Sequence, residues 1–213
     1  SWSTAIEIAV NLYLDIINLF LENATNDVTD MLQRMRELAI QAANDTNGSA
    51  DRGFLQSEVS QLVQEIDRVA TQTQYNGETI LNGSFTDKKI QVGTEAGQTV
   101  GFSVSSITSN SLGVSSLDVS SDPTNALASI TNAIESVAGD RASYGALQNR
   151  LEYTVSNLMN VAEFTTSARS RIEDADFAAE SARLAKAQVL QQTGTAMLAQ
   201  ANASPKLALS LIK

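Results

Sequence analysis

The chain contains no cysteine and no histidine. The first absence removes disulfides and thiolate metal sites. The second removes histidine-based catalytic triads, the HExxH zinc motif and the usual pH switch near neutrality. Only 2 of the 213 residues are proline, so long helices can run without interruption. Aromatic residues make up 5%. With abundant alanine, that scarcity points to closely packed helices rather than a thick globular core. Lys and Arg number 14 against 24 Asp and Glu, a formal charge of −10. Nucleic acid and anionic membrane surfaces both call for a basic face, so neither is an expected partner. Gly93, Gly97 and Gly101 read as turn and strand glycines. No GK[ST] follows them, so there is no phosphate loop. No cofactor or metal is expected, and no enzymatic activity.

Residues 5–24 are rich in Ile, Leu and Val, enough to suggest a membrane span. But Glu7, Asn11, Asp15, Asn18 and Glu22 recur at spacings of four, four, three and four. They therefore lie on one helical stripe. A signal peptide would carry a basic start and a small-residue cleavage site. The first basic residue is Arg34. The segment is expected to be an amphipathic helix with an unusually wide apolar face.

Residues 3–46 read as one long helix with a join near Asn23–Asn26. Its second half sets Val28, Leu32, Met35, Leu38 or Ala39, and Ala42 along one seam. Asn47-Gly48-Ser49 stops it, with Gly48 suited to a left-handed cap. A second helix covers 51–74, with Leu55, Val59, Leu62, Ile66, Val69 and Thr73 at spacings of three and four, and Asn76-Gly77 ends it. Asn82-Gly83 marks a turn. Residues 89–92 and 99–104 alternate like the strands of a hairpin joined by 93–97. Residues 105–121 are Ser-rich and irregular, with Leu112, Val114, Leu117 and Val119 as anchors. Asp122-Pro123 supplies an N-cap and a proline at the first helical position. A heptad-like seam then runs Leu127, Ile130, Ile134, Val137, Arg141, Tyr144, Gln148, Leu151, Val155, Leu158, Ala162 and Thr165. A break near Ile172–Ala175 and a last helix over about 177–203 are expected, with Ser204-Pro205 opposing continuation. The fold class is mainly α: an elongated, antiparallel bundle of long helices with a small β-hairpin region. Apolar Leu184, Leu190, Met197, Leu198, Leu207, Leu209 and Leu211 have little to bury them within the tail. Such a segment awaits a partner.

Several stretches resemble bacterial flagellins. They are Leu32-Gln33-Arg34-Met35-Arg36-Glu37-Leu38-Ala39-Ile40-Gln41-Ala42-Ala43-Asn44, Glu65-Ile66-Asp67-Arg68-Val69, Gln74-Tyr75-Asn76-Gly77 and Lys89-Ile90-Gln91-Val92-Gly93. Later come Gly145-Ala146-Leu147-Gln148-Asn149-Arg150, residues 165–177 and residues 188–202. The resemblance covers roughly 24–104 and 123–213, whereas residues 1–23 are atypical of the family. It implies a self-assembling subunit of the extracellular flagellar filament. Residues 1–176 would form an outer-core rod, including the hairpin at about 84–104 and the connection 105–122. Residues 177–213 would form an inner-core helix, whose N-terminal partner in the family would lie before residue 1. No variable domain has room in 105–122.

The same resemblance implies partners. They are other subunits of the same kind, a flagellar export chaperone on the C-terminal helix, and the flagellin-sensing Toll-like receptor. Arg34, Leu38 and Glu58 match the receptor-contact positions, with Gln33, Arg36, Gln41, Arg52, Leu55 and Val59 around them. The same residues could instead form subunit contacts. The acidic group Glu173, Asp174 and Asp176 reads as solvated charge rather than a catalytic or cation site. Alternative readings are a hook-associated or junction protein, or an engineered or truncated flagellin core acting as a receptor agonist.

Overall fold

The computed structural model describes residues 2–212. Contacts divide the chain into two compact units, Ser1–Met159 and Asn160–Lys213.

In the first unit, residues 2–42 are helical throughout: α1 (Trp2–Asp15), a π segment (Ile16–Leu21) and α2 (Glu22–Ala42). The irregularity expected near Asn23–Asn26 therefore falls earlier and takes the form of a π turn. Ile16 and Leu21, five residues apart, are both buried. Ile17, four residues before Leu21, is fully buried as well. By length and composition this helix could cross a membrane. In the structure its Ile6, Val10, Ile16, Ile17 and Leu21 belong to the protein's own core. Of the polar stripe, Asn11, Asp15, Asn18 and Glu22 are exposed. The apolar face is wider than the fold covers, and Ile8, Leu12 and Leu19 remain exposed.

The seam on α2 is buried as its spacing implies: Val28, Leu32, Met35, Leu38, Ala39 and Ala42. Helix α3 spans Ser49–Gln72 and packs against α2. Gly48 does not form a left-handed cap. Its φ is −73°, and it precedes α3 as the N-cap, its N–H donating to Asp51 Oδ2 at 3.1 Å. Asn47 closes α2 instead, through side-chain bonds to the Gln41 and Asn44 carbonyls. A short side chain that can reach back to free carbonyls satisfies them without a positive φ.

Asn76-Gly77 does more than end a helix. At φ 51° and 79° they form the two-residue turn between β1 (Gln74–Tyr75) and β2 (Glu78–Thr79). Asn-Gly suits such a turn because both positions need positive φ. The expected hairpin is β3 (Lys88–Gln91) paired antiparallel with β4 (Thr99–Phe102), with Ile90 opposite Val100. Phe102 meets Tyr13 edge-on at 5.4 Å and Phe85 at 5.7 Å, and Phe20 meets Tyr75 at 5.7 Å. The atypical first segment is thus packed on the β region by its aromatic residues.

The connection 105–121 has no regular structure, yet it is fixed. The Gln56 amide donates to the Leu117 carbonyl at 2.9 Å and accepts from the Val119 N–H at 2.7 Å. The Asp67 carboxylate accepts from both the N–H and hydroxyl of Ser109, at 2.8 and 2.7 Å. The buried Tyr144 hydroxyl accepts from the Ser105 N–H at 3.1 Å. Side chains from helices thus replace the ladder that this backbone lacks. Burial, then the nearby Asp140 carboxylate, pushes the Tyr144 phenol up to about 12.

Helix α4 runs Pro123–Ile212, opened by Asp122, whose carboxylate accepts from the Asn125 N–H at 3.1 Å. Ile130, Val137, Tyr144, Leu151 and Leu158 of the seam are buried, whereas Arg141 is exposed. The breaks expected at 172–175 and at Pro205 are absent, since the helix continues through both. Residues 172–175 include neither Gly nor Pro, and an Arg169–Glu173 ion pair at 2.7 Å supports the turn leading in.

Gln56→Ala strips two bonds from the connection and is expected to cost about 1–3 kcal/mol of unfolding free energy. Tyr144→Phe, which strands one N–H, is expected to fall in the same range. Urea unfolding of each variant checks both, and wild-type midpoints would contradict the anchoring role.

Candidate functional site

Two surfaces carry the residues singled out by sequence. The first lies on α2 and α3. Arg34 donates from Nε to Glu58 Oε1 at 2.9 Å and pairs with Glu37 at 3.2 Å. Glu58, then Glu37, raises the guanidinium pKa above its ordinary value. The Arg34 and Glu58 side chains are 51% and 43% exposed, so the pair sits in water and contributes little to stability. Its importance is geometric: the pair fixes a cation and two carboxylates on one surface.

Gln33, Arg36 and Gln41 are exposed on α2. Arg52 and Leu55 are half-buried on α3, and the Arg52 Nε is buried without a hydrogen-bond partner. Leu38 and Val59 are elsewhere. Leu38 is 1% exposed and Val59 fully buried, both in the core. Leu38 fits two patterns, the apolar seam of α2 and a turn-spaced pair with Arg34, and burial favours the seam. Glu37 was not among the expected site residues, although its i+3 spacing from Arg34 is the signal for such a pair. Exposed Ile40 and Phe54 (54% and 74%) on these helices were missed as well.

The second surface is the last stretch of α4. All of residues 163–202 are exposed. Leu184, Leu190, Met197, Leu198, Leu207, Leu209 and Leu211 are each at least 60% exposed. Glu173 pairs with Arg169, and Arg183 pairs with Glu180 at 3.5 Å. Among the described residues no group of acidic side chains is arranged to hold a metal ion.

These features define a mainly helical protein with a small antiparallel β region and apolar helical faces suited to packing against other chains. Comparison with known proteins gives the family. Residues 20–86 match the bacterial flagellin N-terminal helical region, and residues 127–212 match the bacterial flagellin C-terminal helical region. The flagellin of Halalkalibacterium halodurans is 36% identical over 197 residues, covering 90% of this chain and 72% of that protein. The flagellar filament 33 kDa core protein of Treponema phagedenis is 39% identical over 210 residues, covering 90% and 73%. The crystal structure of Bacillus cereus flagellin aligns with TM-score 0.58 at 26% identity, covering 73% of this chain and 86% of that one. The chain belongs to the bacterial flagellins. It is a structural subunit of the extracellular flagellar filament, assembled from other flagellin subunits, and not an enzyme.

The two positions one turn apart on α2 should behave oppositely. Leu38→Ala is expected to cost about 2–5 kcal/mol, as for other buried leucines. Arg34→Ala should leave the urea midpoint nearly unchanged. Equal effects would place Leu38 on the surface after all.

Proposed function

We propose that this flagellin assembles by burying the apolar side chains of its C-terminal tail against other subunits. Residues 177–213 then form the inner layer of the filament, and 1–176 the outer. The observation that carries this reading is the exposure of every tail leucine named above. Each buried Leu or Met contributes about 1.5–3 kcal/mol. Seven such side chains therefore supply roughly 10 kcal/mol or more per subunit before the cost of ordering. The same interface repeats along a polymer, so modest contacts add up. Before assembly the flagellar export chaperone covers the same side chains, which keeps them from premature association.

A second reading concerns the surface on α2 and α3, and the Arg34–Glu58 geometry favours it. The flagellin-sensing Toll-like receptor contacts Arg34 and Glu58, with Gln33, Arg36 and Gln41 beside them. Arginine is a common interface anchor. Buried Leu38 and Val59 act here by holding the two helices in register, so that Arg34 reaches Glu58. Arg52 and Leu55 form the half-buried edge of the patch.

An unpacked helix is marginal in water. Amides in 163–202 of the unassembled chain are therefore expected to exchange fast, while 28–42 and 59–70 are protected. The tail should become protected in the polymer. A tail that still exchanges freely in the polymer would contradict the assembly reading.

For the receptor reading, Arg34→Ala is expected to weaken binding to the purified receptor ectodomain at least roughly tenfold, the effect of losing about 1.4 kcal/mol. Unchanged affinity in surface plasmon resonance would remove Arg34 from that interface.

A further inference from the structure

Three asparagines in the chain precede glycine: Asn47, Asn76 and Asn82. Such a pair holds a latent reaction. The glycine nitrogen can attack the asparagine side-chain carbonyl with no side chain of its own in the way. How readily it does so depends on how the fold holds the two groups. At Asn47 both are occupied. The Asn47 amide donates to the Gln41 and Asn44 carbonyls, and the Gly48 N–H donates to Asp51 Oδ2 at 3.1 Å. That carboxylate retains the proton that must leave and opposes the negative charge that would form. Asn76 stands at φ 51° in the two-residue β1–β2 turn, clamped by the pairing of Tyr75 with Glu78. Its backbone would have to rotate against that clamp for a ring to close.

Asn82 is held differently. Its Oδ1 accepts from the Ser84 N–H at 3.0 Å, which folds the side chain back over the Asn82–Gly83 peptide. The Ser84 hydroxyl lies 2.6 Å from the same oxygen. Two donors therefore converge where negative charge develops when Cγ is attacked. Asn82, Gly83 and Ser84 are all exposed, so water reaches them. The fold also demands glycine at 83. Its φ is 91°, and a Cβ there would stand 3.3 Å from the Cβ of Ser106. The residue that the backbone requires is the one that leaves its nitrogen unshielded. On either side Leu81 and Phe85 are buried. Their carbonyls accept from the Ile107 and Val104 N–H groups at 3.0 and 2.9 Å. The reactive tripeptide is an exposed loop between two fixed points.

We infer that Asn82 is a self-modification site, converted to aspartate by attack of the Gly83 nitrogen, with Ser84 as the oxyanion donor. Solvent hydroxide removes the Gly83 amide proton, and the nitrogen lone pair forms a bond to Asn82 Cγ. The carbonyl π pair moves to Oδ1, where the Ser84 N–H and hydroxyl meet it. As the carbonyl re-forms, the Cγ–Nδ2 bond breaks and ammonia leaves with a proton taken from water. A second water then opens the succinimide ring. Cleavage of the Cγ–N bond gives aspartate. Cleavage on the backbone side gives isoaspartate, which lengthens the main chain between Leu81 and Phe85. The aspartate keeps the turn, because its carboxylate accepts the same two bonds from Ser84, now charge-assisted. Each converted subunit gains a negative charge at this loop. The reaction belongs to the single chain and does not depend on the assembly or receptor readings.

Peptide mass spectrometry of the full chain, incubated in mildly alkaline buffer with and without concentrated urea, reads the three rates side by side. In the native chain Asn82 is expected to react roughly tenfold faster than Asn47 or Asn76. In urea, where only sequence neighbours act, the three rates should agree within about threefold. Ser84→Ala should slow native Asn82 roughly fivefold and leave its rate in urea unchanged. Ser84→Thr, which keeps the hydroxyl, should retain the native rate. A variant whose fold had loosened would release Asn47 and speed its reaction, and the native-to-urea comparison on the wild type then decides. Encoded Asn82→Asp should keep the wild-type urea midpoint. Native Asn82 no faster than the other two, or Ser84→Ala without effect while Asn47 stays slow, would overturn the inference. A lowered midpoint for Asn82→Asp would overturn the retention of the turn by the product.

Discussion

One continuous line of buried aliphatic side chains holds the first unit together. It begins at Ile6 and Val10, passes through the π turn at Ile16 and Leu21, and continues along α2 from Val28 to Ala42. Val59 and Ile66 of α3 and Ile130, Val137 and Leu151 of α4 belong to the same core. The constraint is one of phase. A helix of forty residues keeps a straight apolar line only if the pattern and the helical repeat agree. Over residues 16–21 the backbone takes an i→i+5 turn, and Ile16, Ile17 and Leu21 all stay inward there. The surface follows from that choice. With Leu38 held inward, Arg34 is left in water beside Glu58.

Much of this was legible from residue order. The seam on α2, the N-cap at Asp122, the β3–β4 pairing and the heptad line on α4 as far as Leu158 all rest on local rules: periodicity, capping and turn chemistry. What was not legible depends on residues distant in sequence. Nothing near Gln56 reveals that its amide spans the Leu117 carbonyl and the Val119 N–H, some sixty positions on. Asp67 and Ser109 are likewise joined only by the fold. The β1–β2 turn is a different case. Asn76-Gly77 carried the right signal, but strands of two residues are too short to show alternation. The helix breaks expected near 172–175 and Pro205 overweighted local composition, because a proline or a charge cluster disfavours a helix without forbidding one. Of the candidate surface, Arg34 and Glu58 were found together. Leu38 was misassigned because the same residue satisfied two patterns, and only packing distinguishes them.

The two units illustrate two ways in which apolar spacing can be used. In the first, heptad-like positions find partners within the same chain and disappear from the surface. In the second, side chains of the same kind stay in water, and in the proposed assembly other subunits of the filament cover them. Stability of the free subunit and cohesion of the polymer therefore draw on separate stretches of sequence. On the proposed assembly, a substitution in the α2 seam acts on folding and one on the tail acts on assembly.

The anchoring of residues 105–121 bears on how such a protein can change over generations. On the upstream side of the connection Ser109 is tied to Asp67, and on the downstream side Leu117 and Val119 are tied to Gln56. Between these points Ser115 and Ser116 are exposed. Extra chain inserted there would leave both ties intact, and lengthening a loop costs only about 0.6 kcal/mol per doubling. The helical frame therefore tolerates growth at this place without refolding. New surface can be added there while the buried seams of the first unit stay as they are.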